Sequence, residues 1–394
     1  MAESIVLGLG DNTDYEICWN SSIIEGMIRD YRLSDADLGL DAEIRSPRDL
    51  LISILGFLKN GIGGERLVPI PNLIEDFSRN FEKKITLGGT AVRAAIAMRK
   101  LGYTSAIHLV TMNEHVKRLV PTDCTCLCSN DEISSFPHLI VQFCAGTRVQ
   151  GNDICIETSR ANRIIYTYDP DNTLMRLHPD LSSLLIGAKV FLLCGFNCMD
   201  DEALLKDRLS FLQGILKPLA GRVRIFFEDA GYHHPEMSCI VRDYLLRYID
   251  IYSLNEDEFE GYLGHPVSWT DAAAVSKALE AFHVMVPAEI LVVHTRYWAL
   301  AYGTNAVDYK RALTGGITLA TARFRFGDDF TREEYEETGK LPAEEPGWVF
   351  SAAIQAVLGN RVCCVPSFSV LEKNVTTIGL GDTFVGGFLP ALIY

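Results

Sequence analysis

The stretch TTIGLGDTFVGGF, residues 376–388, places two glycines and an aspartate directly before a run that can begin a helix. Gly379 and Gly381 permit close backbone approach. A helix opening after them leaves free N–H groups and the positive end of its dipole facing a bound phosphate. Asp382, at that helix start, is placed to take a proton from a hydroxyl, beside a nest able to stabilise charge on a moving phosphoryl group. The same residues also suit an ordinary Asp cap after a Gly turn, and the tetrapeptide alone does not choose. Gly-Leu-Gly-Asp occurs again at residues 8–11, within SIVLGLGDNTDYEI (4–17). That copy reads as a strand end and turn, with Asp11 structural.

The chain has 394 residues, long enough for one large domain and a smaller one. Hydrophobic residues make up 48%, which allows a substantial core. A net charge of −15 argues against nucleic acid as a partner, because phosphate attraction needs a basic surface. A small anionic ligand stays open, since a few local cations and helix N-termini can hold one. The first residues carry no basic run, and no apolar stretch reaches the roughly 20 residues of a membrane span. With 11 cysteines in no repeating framework, the chain reads as a cytoplasmic protein with reduced thiols. Cys124, Cys126 and Cys128 in CTCLC resemble a metal knuckle, but no matching pair follows at zinc-site spacing, and edge or buried thiols are expected.

Short apolar runs alternate with longer helical patterns. SIVLGLG, AKVFLLCGF (188–196), RVRIFFEDA (222–230), IDIYSLN (249–255) and AEILVVHT (288–295) read as buried strands. TAVRAAIAMRKLG (90–102), DEALLKDRLSFLQGIL (201–216) and DAAAVSKALEAFHVM (271–285) read as helices. This order predicts an α/β fold, a mostly parallel central sheet between two helical layers, with ligands beyond the carboxyl ends of the strands. Residues 15–50 and 136–169 break the pattern, the latter with hairpin-like strands, and are expected to form a small β-rich lid that excludes water. Residues 1–14, 51–135 and 170–394 are then expected to form the large domain. The acidic segment 328–347 reads as a solvated loop with a short helix.

Further motifs add to the reading. LGGTAVRAAIAMRKLG (87–102) sets Gly88 and Gly89 before a small-residue helix, which suits close approach to a sugar. YSLNEDEF (252–259) places Asn255 and Glu258 just past a strand. Glu258 can orient metal-bound water and Asn255 can hold water or phosphate oxygens, although Asn-x-x-Glu is also a common helix-start pattern.

Together and in this order, these stretches resemble the ribokinase-like superfamily, and within it the ADP-dependent glucokinases and phosphofructokinases. The resemblance runs over nearly the whole chain. GDNTDYEI is similar to that branch's Asn-x-Asp segment, implying that Asn12 and Asp14 bind a sugar. LGGTA resembles its Gly-Gly sugar loop, and NRIIYTYD a lid segment in which Asn162 and Arg163 match. VHTRYWALAYG (293–303) and VPSFSVLEKNVTTIGLGDTF (365–384) are similar to the stretches flanking its nucleotide pocket. They imply nucleotide roles for His294, Val365, Thr377, Gly379, Leu380 and Gly381, along with Asn255. One departure stands out. The branch carries His-x-Glu on a mid-sheet strand, whereas IFFEDAG aligns Phe226 with the histidine and Glu228 with the glutamate. A literal match, His234-Pro235-Glu236, lies beyond the strand in a Pro-containing loop.

The resemblance implies phosphoryl transfer from magnesium-bound ADP, or another divalent cation in place of magnesium, to a hydroxyl of glucose or fructose 6-phosphate. Asp14, Gly88 and Gly89 are expected to hold the sugar, Asp382 to activate its hydroxyl, and the amides around residues 379–381 to stabilise charge. Glu228 and Glu258 are expected to position the metal through water. A sugar phosphate would need cations at the far end, for which Arg163, Arg148 and Arg160 are candidates. An ATP-dependent kinase of the same fold, or a non-catalytic sugar or nucleotide sensor, would share these motifs. A monomer or weak homo-oligomer is expected, without nucleic-acid or membrane partners.

Overall fold

The structure is a computed structural model that describes residues 3–130, 135–372 and 375–394. Its nine-stranded sheet runs in the order Val362–Pro366, Trp298–Gly303, Ile290–His294, Ile251–Asn255, Arg224–Glu228, Val190–Leu193, Ile5–Leu7, Ala106–Leu109, Thr125–Cys128. The seven strands from Ile290–His294 to Thr125–Cys128 are parallel, and Trp298–Gly303 pairs antiparallel to both of its neighbours.

Alternation along these strands divides the core in two. Val6, Phe191, Ile225, Phe227, Leu291 and Val293 pack with helices Glu202–Leu216, Pro235–Leu245, Ala272–Met285 and Glu345–Leu358. Ile5, Leu7, Phe226, Ile251, Ile290 and Val292 pack with helices Thr90–Lys100, Lys310–Phe326 and Leu380–Ile393. Both faces being covered explains why the strands read as unbroken apolar runs. The expected three-layer α/β/α arrangement is present.

A second sheet of five strands has the order Gly64–Leu67, Asn162–Thr167, His138–Phe143, Asn12–Ile17, Lys83–Gly88. Here only one face is apolar. Tyr15, Leu139, Val141, Ile164 and Tyr166 are buried. Most of them join Ile24, Ile28, Leu50, Leu51, Ile54 and Leu58 of helices Ser21–Asp30 and Pro47–Asn60 in one cluster. The residues between them point toward the larger sheet.

This corrects the expected domain boundary. Residues 51–88 were assigned to the large domain, but Gly64–Leu67 and Lys83–Gly88 are strands of the smaller sheet and helix Pro47–Asn60 covers it. The small sheet also starts at Asn12, before the expected 15. Residues 136–169 do supply two of its strands, with Arg148–Gly151 and Ile154–Glu157 as a separate hairpin. Local patterns mark strands, but they do not say which of two sheets a strand will join. Two smaller readings also resolve. Pro235 opens a helix, with His234 as its exposed N-cap rather than part of a loop. Thr125–Cys128 is an edge strand, and its neighbouring thiols pack against the apolar core.

Asp11 ties the end of the first strand to that of its neighbour Ala106–Leu109 in the large sheet. Its Oδ1 accepts from the backbone N–H groups of Val110 at 2.8 Å and Thr111 at 3.1 Å. Burial raises its carboxyl to about 7, against these hydrogen bonds. The raised group takes up its proton in the folded chain first, so its stabilisation is complete below the unfolded value of 3.8 and is lost as pH rises through about 7. Denaturant unfolding of wild type and Asp11→Asn should therefore show wild type gaining on the variant when pH falls from about 8 to about 5. A difference independent of pH would contradict this.

Candidate active site

Between the two sheets lies a cavity of about 290 Å³. Its floor is made by the carboxyl ends of the parallel strands, through Leu9, Cys194, Glu228, Asn255 and His294. Its roof is the polar face of the smaller sheet, through Asn12, Asp14, Gly88, His138 and Arg163. The loop and first turn at residues 378–382 close one side. Both copies of Gly-Leu-Gly-Asp therefore border the same space, but by different parts.

The second copy begins a helix as its sequence suggests. Gly379 has φ +62° and is the N-cap of helix Leu380–Ile393, with Asp382 in the first turn. Asp382 is held from another helix. Thr90 Oγ1 donates to its Oδ1 at 2.9 Å, and Arg93 Nε lies 3.7 Å from Oδ2. Arg93 also reaches Asp14, donating from Nη2 to Oδ2 at 2.6 Å. Asn12 Nδ2 takes the other oxygen of Asp14 at 2.6 Å. A Cβ at Gly88 would overlap Asn12 Nδ2 and lie 2.7 Å from Asp14 Oδ2, so any larger residue there would push these two side chains aside.

His138 stands beside this group. It shares a 3.0 Å hydrogen bond with Asp169 Oδ2 and lies 3.8 Å from Asp14. Burial opposes its charge, but the hydrogen bond and charge of Asp169, then Asp14, carry its pKa above the ordinary value. Arg163 also lines the cavity and has no ion-pair partner among the described residues; burial pulls it down.

At the floor, His294 Nε2 meets Glu228 Oε1 at 2.8 Å, and its ring stacks on Phe384. Burial opposes its charge, and Glu228 raises it. Glu228 and Phe226 share one face of their strand. Phe226 is fully buried and packs on Phe388 at 5.2 Å, so the position of the expected histidine holds core packing. The imidazole that meets Glu228 comes instead from a strand two places away.

Asn255 and Glu258 form a full capping box, with both Glu258 oxygens accepting from Asn255. Burial, then repulsion from Glu228, Asp229 and Asp257, raises Glu258 well above a normal carboxyl. Asp229 accepts from Tyr252 and Tyr262, and burial lifts it to about 6.

Glu228 Oε2 is buried without a hydrogen-bond partner among the described residues. Together with the mutual repulsion of the carboxylates, this donor suits a cation. Among the described residues no three His, Cys, Asp or Glu side chains form a protein-only cage. Magnesium fits such a site, since it keeps several waters and uses one or two carboxylates plus phosphate oxygens.

Of the residues expected from sequence, Asn12, Asp14, Gly88, Gly89, Arg163, Glu228, Asn255, Glu258, His294, Gly379, Leu380, Gly381 and Asp382 line the cavity. Three do not. Asn162 alternates to the other face of its strand, and its Oδ1 accepts from the N–H of Arg163. Val365 lies within an antiparallel strand opposite Ala299, and the neighbouring Ile378 takes the place expected of Thr377. Residues 373 and 374 of the flanking stretch lie outside the described residues. Arg148 pairs with Glu157 in the open and Arg160 donates to the Gly61 carbonyl, so neither reaches the cavity. Thr90, Arg93, His138 and Asp169 were missed. Arg93 left a faint signal, a charge among the small apolar residues that open its helix; His138 and Asp169 are 31 residues apart and left none.

With this geometry in place, the comparisons are informative. Residues 3–389 match the ADP-specific phosphofructokinase/glucokinase conserved region. The chain belongs to this family. Its members are ADP-dependent sugar kinases, phosphotransferases acting on a sugar hydroxyl. No curated protein sequence matches significantly. Similar solved structures include a phosphofructokinase from Pyrococcus horikoshii OT3 with AMP, at 19% identity and TM-score 0.75, covering 99% of this chain and 98% of that one. An ancestral ADP-dependent phosphofructokinase from Methanosarcinales has 17% identity and TM-score 0.74, with 99% and 94% covered. An ADP-dependent kinase in complex with fructose 6-phosphate and ADPβS has 15% identity, TM-score 0.74 and the same coverage. These likenesses show the ribokinase-like fold.

Gly88→Ala should displace Asn12 and Asp14 by overpacking; with the acceptor held by these two residues, as the resemblance implies, its binding should weaken by about tenfold or more while ADP binding changes little. Calorimetric titration of each substrate checks this, and equal losses for both would contradict it.

Proposed function

We propose that the chain transfers the β-phosphoryl group of magnesium ADP to a hydroxyl of glucose or fructose 6-phosphate, giving AMP. The observation that carries this reading is that Asp382, in the first turn of its helix, and Asp14, on the smaller sheet, border one cavity and are joined by Arg93. Asp14, Asn12 and the Gly88–Gly89 backbone orient the acceptor. Its hydroxyl oxygen attacks the β-phosphorus, the proton passes to Asp382, and the bond from the β-phosphorus to the bridging oxygen breaks, so that AMP leaves. Free N–H groups at residues 379–381 and the Arg163 guanidinium face the charge carried by the moving group. Glu228 and Glu258 would hold magnesium through water; when bound, the ion neutralises phosphate oxygens.

The two acceptors are each supported by an observation. The ADP-dependent kinase of similar fold was solved with fructose 6-phosphate. Against a phosphorylated acceptor, Arg93, His138 and His294 are already matched by Asp14, Asp169 and Glu228, which among the described residues lining the cavity leaves Arg163 to meet any further phosphate.

The reading is tested by incubating the protein with magnesium ADP or ATP and either sugar, and detecting AMP. AMP formation from ADP supports it; turnover with ATP alone, or binding of both substrates with no product over hours, would replace it with an ATP-dependent kinase or a sensor. Asp382→Asn should lower kcat by about 10²- to 10⁴-fold with ADP affinity retained. Near-normal turnover in that variant would remove Asp382 as the base.

A further inference from the structure

One side chain joins the acceptor side of the cavity to the phosphoryl-transfer loop. Arg93 rises from helix Thr90–Lys100 and is 6% exposed. Its Nη2 lies 2.6 Å from Asp14 Oδ2 and 3.7 Å from Glu16 Oε1, both on the smaller sheet. Its Nε lies 3.7 Å from Asp382 Oδ2. A Cβ on Gly379 would stand 2.8 Å from its Nη1 and 2.9 Å from its Cδ, so the side chain rests against the glycine that opens the loop.

We propose that Arg93 is a positioning residue that fixes the separation of Asp14 and Asp382, so that an acceptor held by the first is presented to the second. This rests on the proposed roles of those two carboxylates. The physical case begins with repulsion. Asp14, which is buried, and Glu16 and Asp382, which are half-buried, converge on the Arg93 guanidinium, and without a cation their charges would drive the smaller sheet away from the loop. A planar guanidinium with five donors can face two carboxylates from different elements at once. A lysine ammonium carries the charge but lacks that fork. The arrangement also locks Asp14. One of its oxygens is held by Asn12 and the other by Arg93, so its remaining lone pairs have fixed directions for an acceptor's hydroxyls. Arg93 acts on the reaction through these partners, and the chemistry on the acceptor and on ADP remains that of Asp382 and the loop.

The test combines kinetics with a measurement that needs no substrate. For Arg93→Met, the acceptor KM should rise about tenfold and kcat fall about 100-fold, while the ADP KM changes by less than about threefold. Arg93→Lys should recover part of kcat but keep the raised acceptor KM. Asp14→Asn combined with Arg93→Met should cost less than the sum of the two single losses, because both act through one pair. In the free protein, Arg93→Met should speed amide exchange together at residues 12–15 and 379–382. Equal KM increases for both substrates, additive losses, or unchanged exchange at either segment would overturn the proposal. If Arg93→Met does not fold, the lysine variant decides, and wild-type kinetics in it would overturn the proposal. Absence of AMP with the wild-type protein would defeat the kinase reading, and the exchange measurement would still decide the role of Arg93.

Discussion

Charge removed from water has to be matched, and this constraint shapes the whole space between the two sheets. A lone carboxylate or guanidinium at such depth is strongly disfavoured, whereas a close pair is tolerated. Asp14 is 3% exposed and Arg93 6%, and each is acceptable because of the other. The same logic pairs His138 with Asp169 and His294 with Glu228. All three pairs link different elements of the fold. Paired charge therefore does two things here: it permits a polar cavity inside the chain, and it fixes the elements that line it.

The two sheets contribute in complementary ways. The large sheet is covered on both faces, so it reaches the cavity only with its strand ends, where Glu228, Asn255 and His294 gather. The small sheet buries one face under helices and offers the other to the cavity, so its polar groups alternate along the strands. Asn12 and Asp14 share that open face, as do His138 and Ile140, and Arg163 and Ile165. Lys84 to Asp328 at 3.0 Å adds a contact between the layers outside the cavity, and His233 to Glu65 at 3.1 Å one at its edge. These ion pairs add to the seating of the small sheet.

The Phe226 position shows how this chain departs from its family's pattern while keeping a histidine beside the glutamate. Phe226 faces the layer containing helix Leu380–Ile393 and is part of the packing beneath the loop. His294 ends a strand on the same side of the sheet and reaches Glu228 from there. One oxygen of Glu228 is thereby occupied and the other remains without a partner among the described residues in the buried cavity.

By itself the sequence determined the layered fold and both ends of the site. Unbroken apolar strands alternating with helical periods allow little besides a covered parallel sheet, and Gly-Leu-Gly-Asp before a helix carries its geometry locally through Gly379. Asp382, Asp14, Gly88 and Glu228 were legible because their neighbours in the chain place them at turns, strand ends and helix starts. Tertiary structure alone decided what lies across from them. Which sheet Lys83–Gly88 joins, which face Asn162 shows, and which histidine meets Glu228 depend on pairing between distant segments. Arg93 is the clearest case. It is 79 residues from Asp14, and local sequence cannot encode a contact made only when two sheets are brought together. The two copies of Gly-Leu-Gly-Asp differ for the same reason: Asp11 is turned to the N–H groups of Val110 and Thr111, and Asp382 to the cavity.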